Sequence, residues 1–96
     1  MEADRSGAIA TLLRQAEGAH ATYEADALQG VYDEAWPRWY ATYAVEHGLA
    51  EILGHEVTVD VLTAFLTESY ADFASADPKP SVPWAEYTAS RISEEL

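Results

Sequence analysis

The stretch that most constrains this chain is Trp36 to His55, WPRWYATYAVEHGLAEILGH. Laid on a helix at about 100° per residue, it puts Trp36, Trp39, Tyr40, Tyr43, His47 and Ala50 on one side, with Val45, Leu49 and Ile52 roughly opposite. A helix that is apolar on both flanks belongs in the middle of something. The remainder of the chain offers helices to surround it. Period-two alternation of apolar and polar residues is not sustained anywhere, and no segment repeats.

A first helix is predicted over 7–28. Ile9, Leu12, Leu13, Ala16, His20, Tyr23 and Ala27 share one face, while Arg14, Gln15, Gly18, Thr22 and Ala25 face solvent. Residues 1–5 read as a frayed lead, with Asp4 or Ser6 available as the N-cap. Gly30 then breaks the pattern and Asp33 supplies a capping side chain. Because Pro37 restricts the residue before it, the second helix is expected over 37–53, with Gly54 as its stop. Gly48, inside that span, costs about 1 kcal/mol relative to alanine and reads as a point of close approach by a neighbouring helix. Thr58 caps a third helix over 59–76, whose buried face comprises Val59, Leu62, Phe65, Leu66, Ser69, Tyr70 and Phe73. Pro78, Pro80 and Pro83 end it. The last helix, over 83–93 with Ser81 or Val82 as its cap, has only a narrow stripe of Trp84, Tyr87, Ile92 and Leu96 and is expected to be the most weakly held. The prediction is an all-α compact bundle of about four helices, folded as a single domain over 1–96.

Charge removes several functions. Seventeen Asp and Glu against five Lys and Arg give a formal −12. The cations Arg5, Arg14, Arg38, Lys79 and Arg91 are scattered singly, whereas phosphate backbones and anionic membranes need them clustered. Nucleic acid and membrane are therefore excluded as partners, and a basic protein or a cationic ligand would be steered toward such a surface. Cysteine is absent, which excludes disulfides, thiolate nucleophiles and zinc-thiolate sites. The N-terminal sequence lacks a signal-peptide pattern, and no apolar run has spanning length, so the expectation is a soluble cytoplasmic protein. Glycine-rich phosphate loops, nucleophile elbows and kinase signatures are also missing.

The candidate site lies where two predicted apolar stripes carry polar residues. On the first helix these are His20 and Glu24, with Tyr23 beside them; on the second they are Tyr40, Tyr43 and His47, with Trp36 at its start. Adjacent antiparallel helices would let the two histidine-bearing stripes face each other. His20, Tyr23, Glu24, Trp36, Tyr40, Tyr43 and His47 are accordingly the candidate ligand-binding residues. Aromatic walls with a few convergent polar groups suit a small-molecule pocket, in which a histidine would act near neutral pH. A rival use is a metal or catalytic cluster of His20, Glu24 and His47, joined by Glu51, although no HExxH or ExxH spacing occurs. The plainest use is structural, with imidazole, phenols and carboxylate satisfying one another in the core. No cofactor and no catalytic residue is assigned. The aromatic surplus, with Tyr32, Trp39, Trp84 and Tyr87 beyond what one small core buries, predicts a homodimer or a protein-partner surface.

The segment Glu17 to Leu49 resembles a pattern of small uncharacterised bacterial helical proteins, in which AHxxYE is followed by an acidic turn and DxxWxxWYAxY. The matching residues are Ala19, His20, Tyr23, Glu24, Asp33, Trp36, Trp39, Tyr40, Ala41 and Tyr43, within about a third of the chain. The resemblance implies an all-α fold and joins His20, Tyr23, Glu24, Trp36 and Tyr40 as a unit. It brings no activity. The function expected from the sequence is therefore a small acidic binding or accessory module for a protein partner or small ligand, acting as a homodimer.

Overall fold

The computed structural model describes residues 2–96 as five helices: α1 Glu2–Asp26, α2 Trp36–Glu46, α3 Leu49–Leu53, α4 Val59–Ser75 and α5 Trp84–Glu95. Among the described residues there is no strand, so the all-α bundle expected from apolar spacing is the fold that forms. No described helix is long and apolar enough to cross a membrane. α1 packs chiefly on α5 and α2 on α4, while contacts of α1 with α2 and of α4 with α5 close the bundle. Ile9, Leu13 and Ala16 of α1 meet Ala41 and Ala44 of α2, Leu62 and Leu66 of α4 and Ile92 of α5 in one core.

α1 starts at Glu2 rather than near Gly7, so Asp4 and Ser6 lie inside the helix and do not cap it; Met1 lies outside the described residues. It ends at Asp26, which leaves Ala27 exposed beyond the buried stripe. The expected second helix is two helices. Gly48 adopts φ 107°, a left-handed torsion that an L-residue enters at a cost, and the chain turns there between α2 and α3. A Cβ built on Gly48 would find only a Glu51 carboxylate oxygen at 3.9 Å, so no neighbouring helix presses on it. Backbone torsion, not close packing, is what this glycine serves.

The expected ends of the later elements hold more closely. Gly54 closes α3 at φ 82°. Thr58 caps α4, its hydroxyl accepting the Val61 N–H at 3.1 Å. α5 is capped by neither Ser81 nor Val82: Pro83 occupies the cap position and makes no side-chain bond. Nor is α5 weakly held. Its buried residues are Ala85, Thr88, Ala89 and Ile92, and its contact with α1 is the broadest between any two helices. Small residues carry that face, and a count of large apolar side chains overlooks them. Between α4 and α5 the hydroxyls of Ser69 and Thr88, both fully buried, lie 2.9 Å apart and satisfy each other.

Candidate functional site

The site begins where α1 ends. Gln29 and Gly30 take left-handed torsions, with φ 53° and 83°, and the Gly30 N–H returns to the Glu24 carbonyl at 2.8 Å. This reversal brings Asp33 back over the last turns of α1. One Asp33 oxygen, Oδ2, lies 2.9 Å from Nε2 of His20, while the other accepts the Ala35 N–H at 3.0 Å just before α2. Glu24 completes the knot. Its Oε2 accepts the Asp33 N–H at 3.1 Å and its Oε1 stands 3.8 Å from Nδ1 of His20.

His20 is thus buried with a carboxylate facing each ring nitrogen, and aromatic rings cover its faces. The Trp39 and Tyr40 centroids lie 4.9 and 5.1 Å away, and that of Tyr23 lies 5.9 Å away. A working acid or base needs one nitrogen within reach of a substrate. Here Nε2 is taken by Asp33, and Nδ1 is turned toward Glu24. The arrangement holds the loop between α1 and α2 onto α1; its chemistry is that of a clamp.

The structure brings His20, Tyr23, Glu24, Trp36, Tyr40 and Tyr43 to one region and leaves His47 out of the clamp. His47 is the C-cap of α2, exposed, its ring stacked on Tyr43 at 3.9 Å and its Nδ1 2.8 Å from the Tyr43 carbonyl oxygen. The rings of Tyr43 and Trp39 intervene between the two histidines, so their stripes do not close on each other. The helix break at Gly48 explains the placement, because His47 is a terminal residue rather than a mid-helix one. His55 is more remote still, with Nε2 2.6 Å from the Leu96 carbonyl oxygen. Among the described residues no group of three or more His, Asp or Glu side chains is arranged to hold a metal ion.

Around α2 the aromatic residues form two different structures. On one flank Tyr23, Trp39, Tyr43 and His47 make a column, with the Trp39–Tyr43 planes 15° apart and Tyr43–His47 12° apart. Rings in a column cover one another's faces. Beside it runs a groove of about 370 Å³ lined by Asp33, Arg38, Trp39, Tyr43 and Glu46. Its cation is already engaged, since Arg38 pairs with Asp60 at 3.0 Å.

On the other flank the rings stand as walls. Trp36 meets Tyr40 at 79°, Trp84 at 85° and Tyr70 at 74°, and Tyr40 meets Trp84 at 85°, with every centroid separation between 5.3 and 5.7 Å. Three mutually near-perpendicular planes, Trp36, Tyr40 and Trp84, meet like the corner of a box. The box opens as a hollow of about 190 Å³, with Tyr70 and Glu17 completing its lining. A second hollow of about 220 Å³ continues from it past Tyr32 to His20 and Glu24, sharing Trp36, Tyr40 and Tyr70.

Electrostatics in the box follow from burial. Burial, with the nearby charges of Glu17 and Glu24, pushes the Tyr40 hydroxyl up to about 12, so it stays neutral at any ordinary pH. Burial also raises the Glu17 carboxyl above its usual value, against an opposing pull from Arg14. The Trp84 indole N–H is buried and, among the described residues, has no hydrogen-bond partner. Glu17, Asp33, Tyr70 and Trp84 were not recognisable as site residues from spacing. Asp33 entered as a cap and as part of the matching pattern, Tyr70 as core, Trp84 as part of a narrow stripe or a partner surface, and Glu17 only as the start of the matching segment; tertiary packing alone joins them.

Comparison with protein-family models, with curated proteins and with solved structures finds no match to this chain.

Proposed function

We propose that this protein is a small acidic helical binding module whose ligand seats in the aromatic cleft of Trp36, Tyr40 and Tyr70. The observation that carries this reading is the division of labour around α2. The imidazole of His20 is bonded to Asp33 with Glu24 nearby, whereas the perpendicular rings beside it line an open cleft. A pocket with aromatic walls and few polar groups is suited to holding a ligand rather than transforming it. The clamp supports the cleft by fixing the loop that leads into Trp36. The alternative of a small enzyme or metalloprotein using His20, Glu24 and His47 is disfavoured by the separation of His47 from His20 and by the Asp33 carboxylate that occupies His20 Nε2. A cytoplasmic accessory role in a bacterium fits the acidic, cysteine-free composition and the likeness of Glu17–Leu49 to small bacterial helical proteins.

A thermal-shift screen with small molecules sorted by class (cations, anions, neutral aromatics, sugars) tests the reading. A ligand present at ten times its Kd stabilises the fold by about 1.4 kcal/mol, roughly 6–11 °C for a domain of this size. The expected result is stabilisation by at least one class, reduced in Tyr70→Ala and retained in Arg38→Ala, which alters the other groove. No stabilisation by any class, or loss in Arg38→Ala instead, sinks the proposal.

Self-association is a second reading. It is favoured by Val31 and Tyr32, 66% and 67% exposed, with Tyr32 lining the same cleft, which a second copy would cover. Sedimentation at roughly 0.1 mM protein is the check, since weak dimers form by mass action at that concentration. A monomer there removes the homodimer.

A further inference from the structure

We propose that the box formed by Trp36, Tyr40, Tyr70 and Trp84, with Glu17 at its rim, binds a small trialkylammonium cation. The inference rests on the binding reading above and names the chemistry of its ligand. Aromatic faces carry negative potential, and a cation held within about 6 Å of several of them is attracted without the need for a hydrogen bond. Perpendicular walls are the arrangement that surrounds a roughly spherical charged group. Near-perpendicular Trp36, Tyr40 and Trp84 provide three such walls, and Tyr70, 48% exposed, provides a fourth that can adjust to an occupant.

A hydrated ammonium with N–H donors would seek oxygen partners, of which the box offers few. Tyr40 remains a neutral phenol, and Glu17 is the one carboxylate in the lining. A trialkylated nitrogen has a thin hydration shell and a greasy surface, so it loses least on entering. Glu17 then supplies the net charge. Its carboxylate is partly withdrawn from water, and a cation beside it relieves that penalty. The volume of about 190 Å³ suits a compact head group. The overall charge of −12 draws cations to the molecule and repels anions of equal size.

The Trp84 N–H is buried and, among the described residues, has no hydrogen-bond partner. Buried donors are nearly always satisfied. Choline chemistry supplies such a trialkylated cation, whether free, in a lipid head group, or mimicked by a trimethylated lysine.

The experiment is an NMR titration of the full 96-residue chain with choline, with its neutral carbon isostere 3,3-dimethylbutan-1-ol, and with a trimethyl-lysine peptide. The expected result is saturable movement of the Trp36 and Trp84 indole N–H signals by choline, with the neutral isostere at least about tenfold weaker. Glu17→Gln and Tyr70→Ala change exposed residues. Glu17→Gln should weaken choline about fivefold while leaving the isostere unchanged, and Tyr70→Ala should weaken it about threefold. Whichever of choline and the peptide binds more tightly names the source of the cation. Equal binding of choline and its isostere would overturn the cation while leaving an apolar binding cleft in place. No movement of either indole with choline or peptide would overturn the box as a cation site, whatever the broader screen finds.

Discussion

Asp33 divides its two carboxylate oxygens between a side chain and the backbone: Oδ2 lies 2.9 Å from His20 Nε2, and Oδ1 accepts the Ala35 N–H at 3.0 Å. One residue therefore fixes an imidazole in α1 and the entry to α2, 13 positions beyond that histidine. Trp36 follows Ala35 directly, so the geometry of the aromatic box is set through this carboxylate.

Asp33→Ala removes both bonds and leaves His20 buried beside Glu24 alone. The expected loss of stability is about 2–3 kcal/mol, as for leaving a buried polar group without its hydrogen-bond partner. Asp33→Asn keeps an oxygen for Ala35 and an amide for His20, so it should cost about 1 kcal/mol. Urea unfolding of the two variants provides the check. An alanine variant no less stable than the asparagine variant would show that the clamp contributes nothing.

Two glycines should respond in opposite directions to the same substitution. Gly48→Ala places a Cβ at φ 107° and should destabilise by about 1–2 kcal/mol although space is available. Gly18 lies on the exposed face of α1 with nothing near its Cβ position, and Gly18→Ala should stabilise by about 0.5–1 kcal/mol. Melting temperatures that move in the same direction for both would contradict the assignment of Gly48 to a torsional role.

This pair also shows what was legible in the chain. Helical periodicity announced the bundle, the Thr58 cap, the Gly54 stop and the buried position of His20, because each is a local property of sequence. Gly48 looked the same as any helical glycine, and whether it turns the chain depends on how Leu49 and Leu53 are drawn into the core. That single torsion moved His47 out of the site. The box was hidden for a similar reason. Trp36 and Tyr40 share a helix and were paired by spacing, but Tyr70 and Trp84 join them from α4 and α5, and no periodicity within one helix reports what another helix brings.

Alkaline pH provides a further prediction. Tyr40 ionises only near about 12 in the folded state because burial and two nearby carboxylates oppose its charge. The unfolded phenol ionises near about 10, so the folded state binds its proton more tightly. That contribution to stability is fully present below about pH 10 and is lost as pH rises from there through about 12. Wild-type protein should lose stability across this window more steeply than Tyr40→Phe, as measured by urea midpoints at successive pH values. Parallel curves for the two proteins would show that Tyr40 is not held neutral by its surroundings.

The central claim is that ligand binding belongs to the aromatic box and that His20 is its support. The most direct measurement follows the indole N–H signals of Trp36 and Trp84 together with the ring signals of His20 while a stabilising ligand from the thermal screen is added. The two indole signals should shift most and saturate together, with the His20 ring signals moving least. Large saturable shifts of the His20 ring, with both indoles unmoved, would contradict that claim and return His20 to the role of the group that meets the ligand.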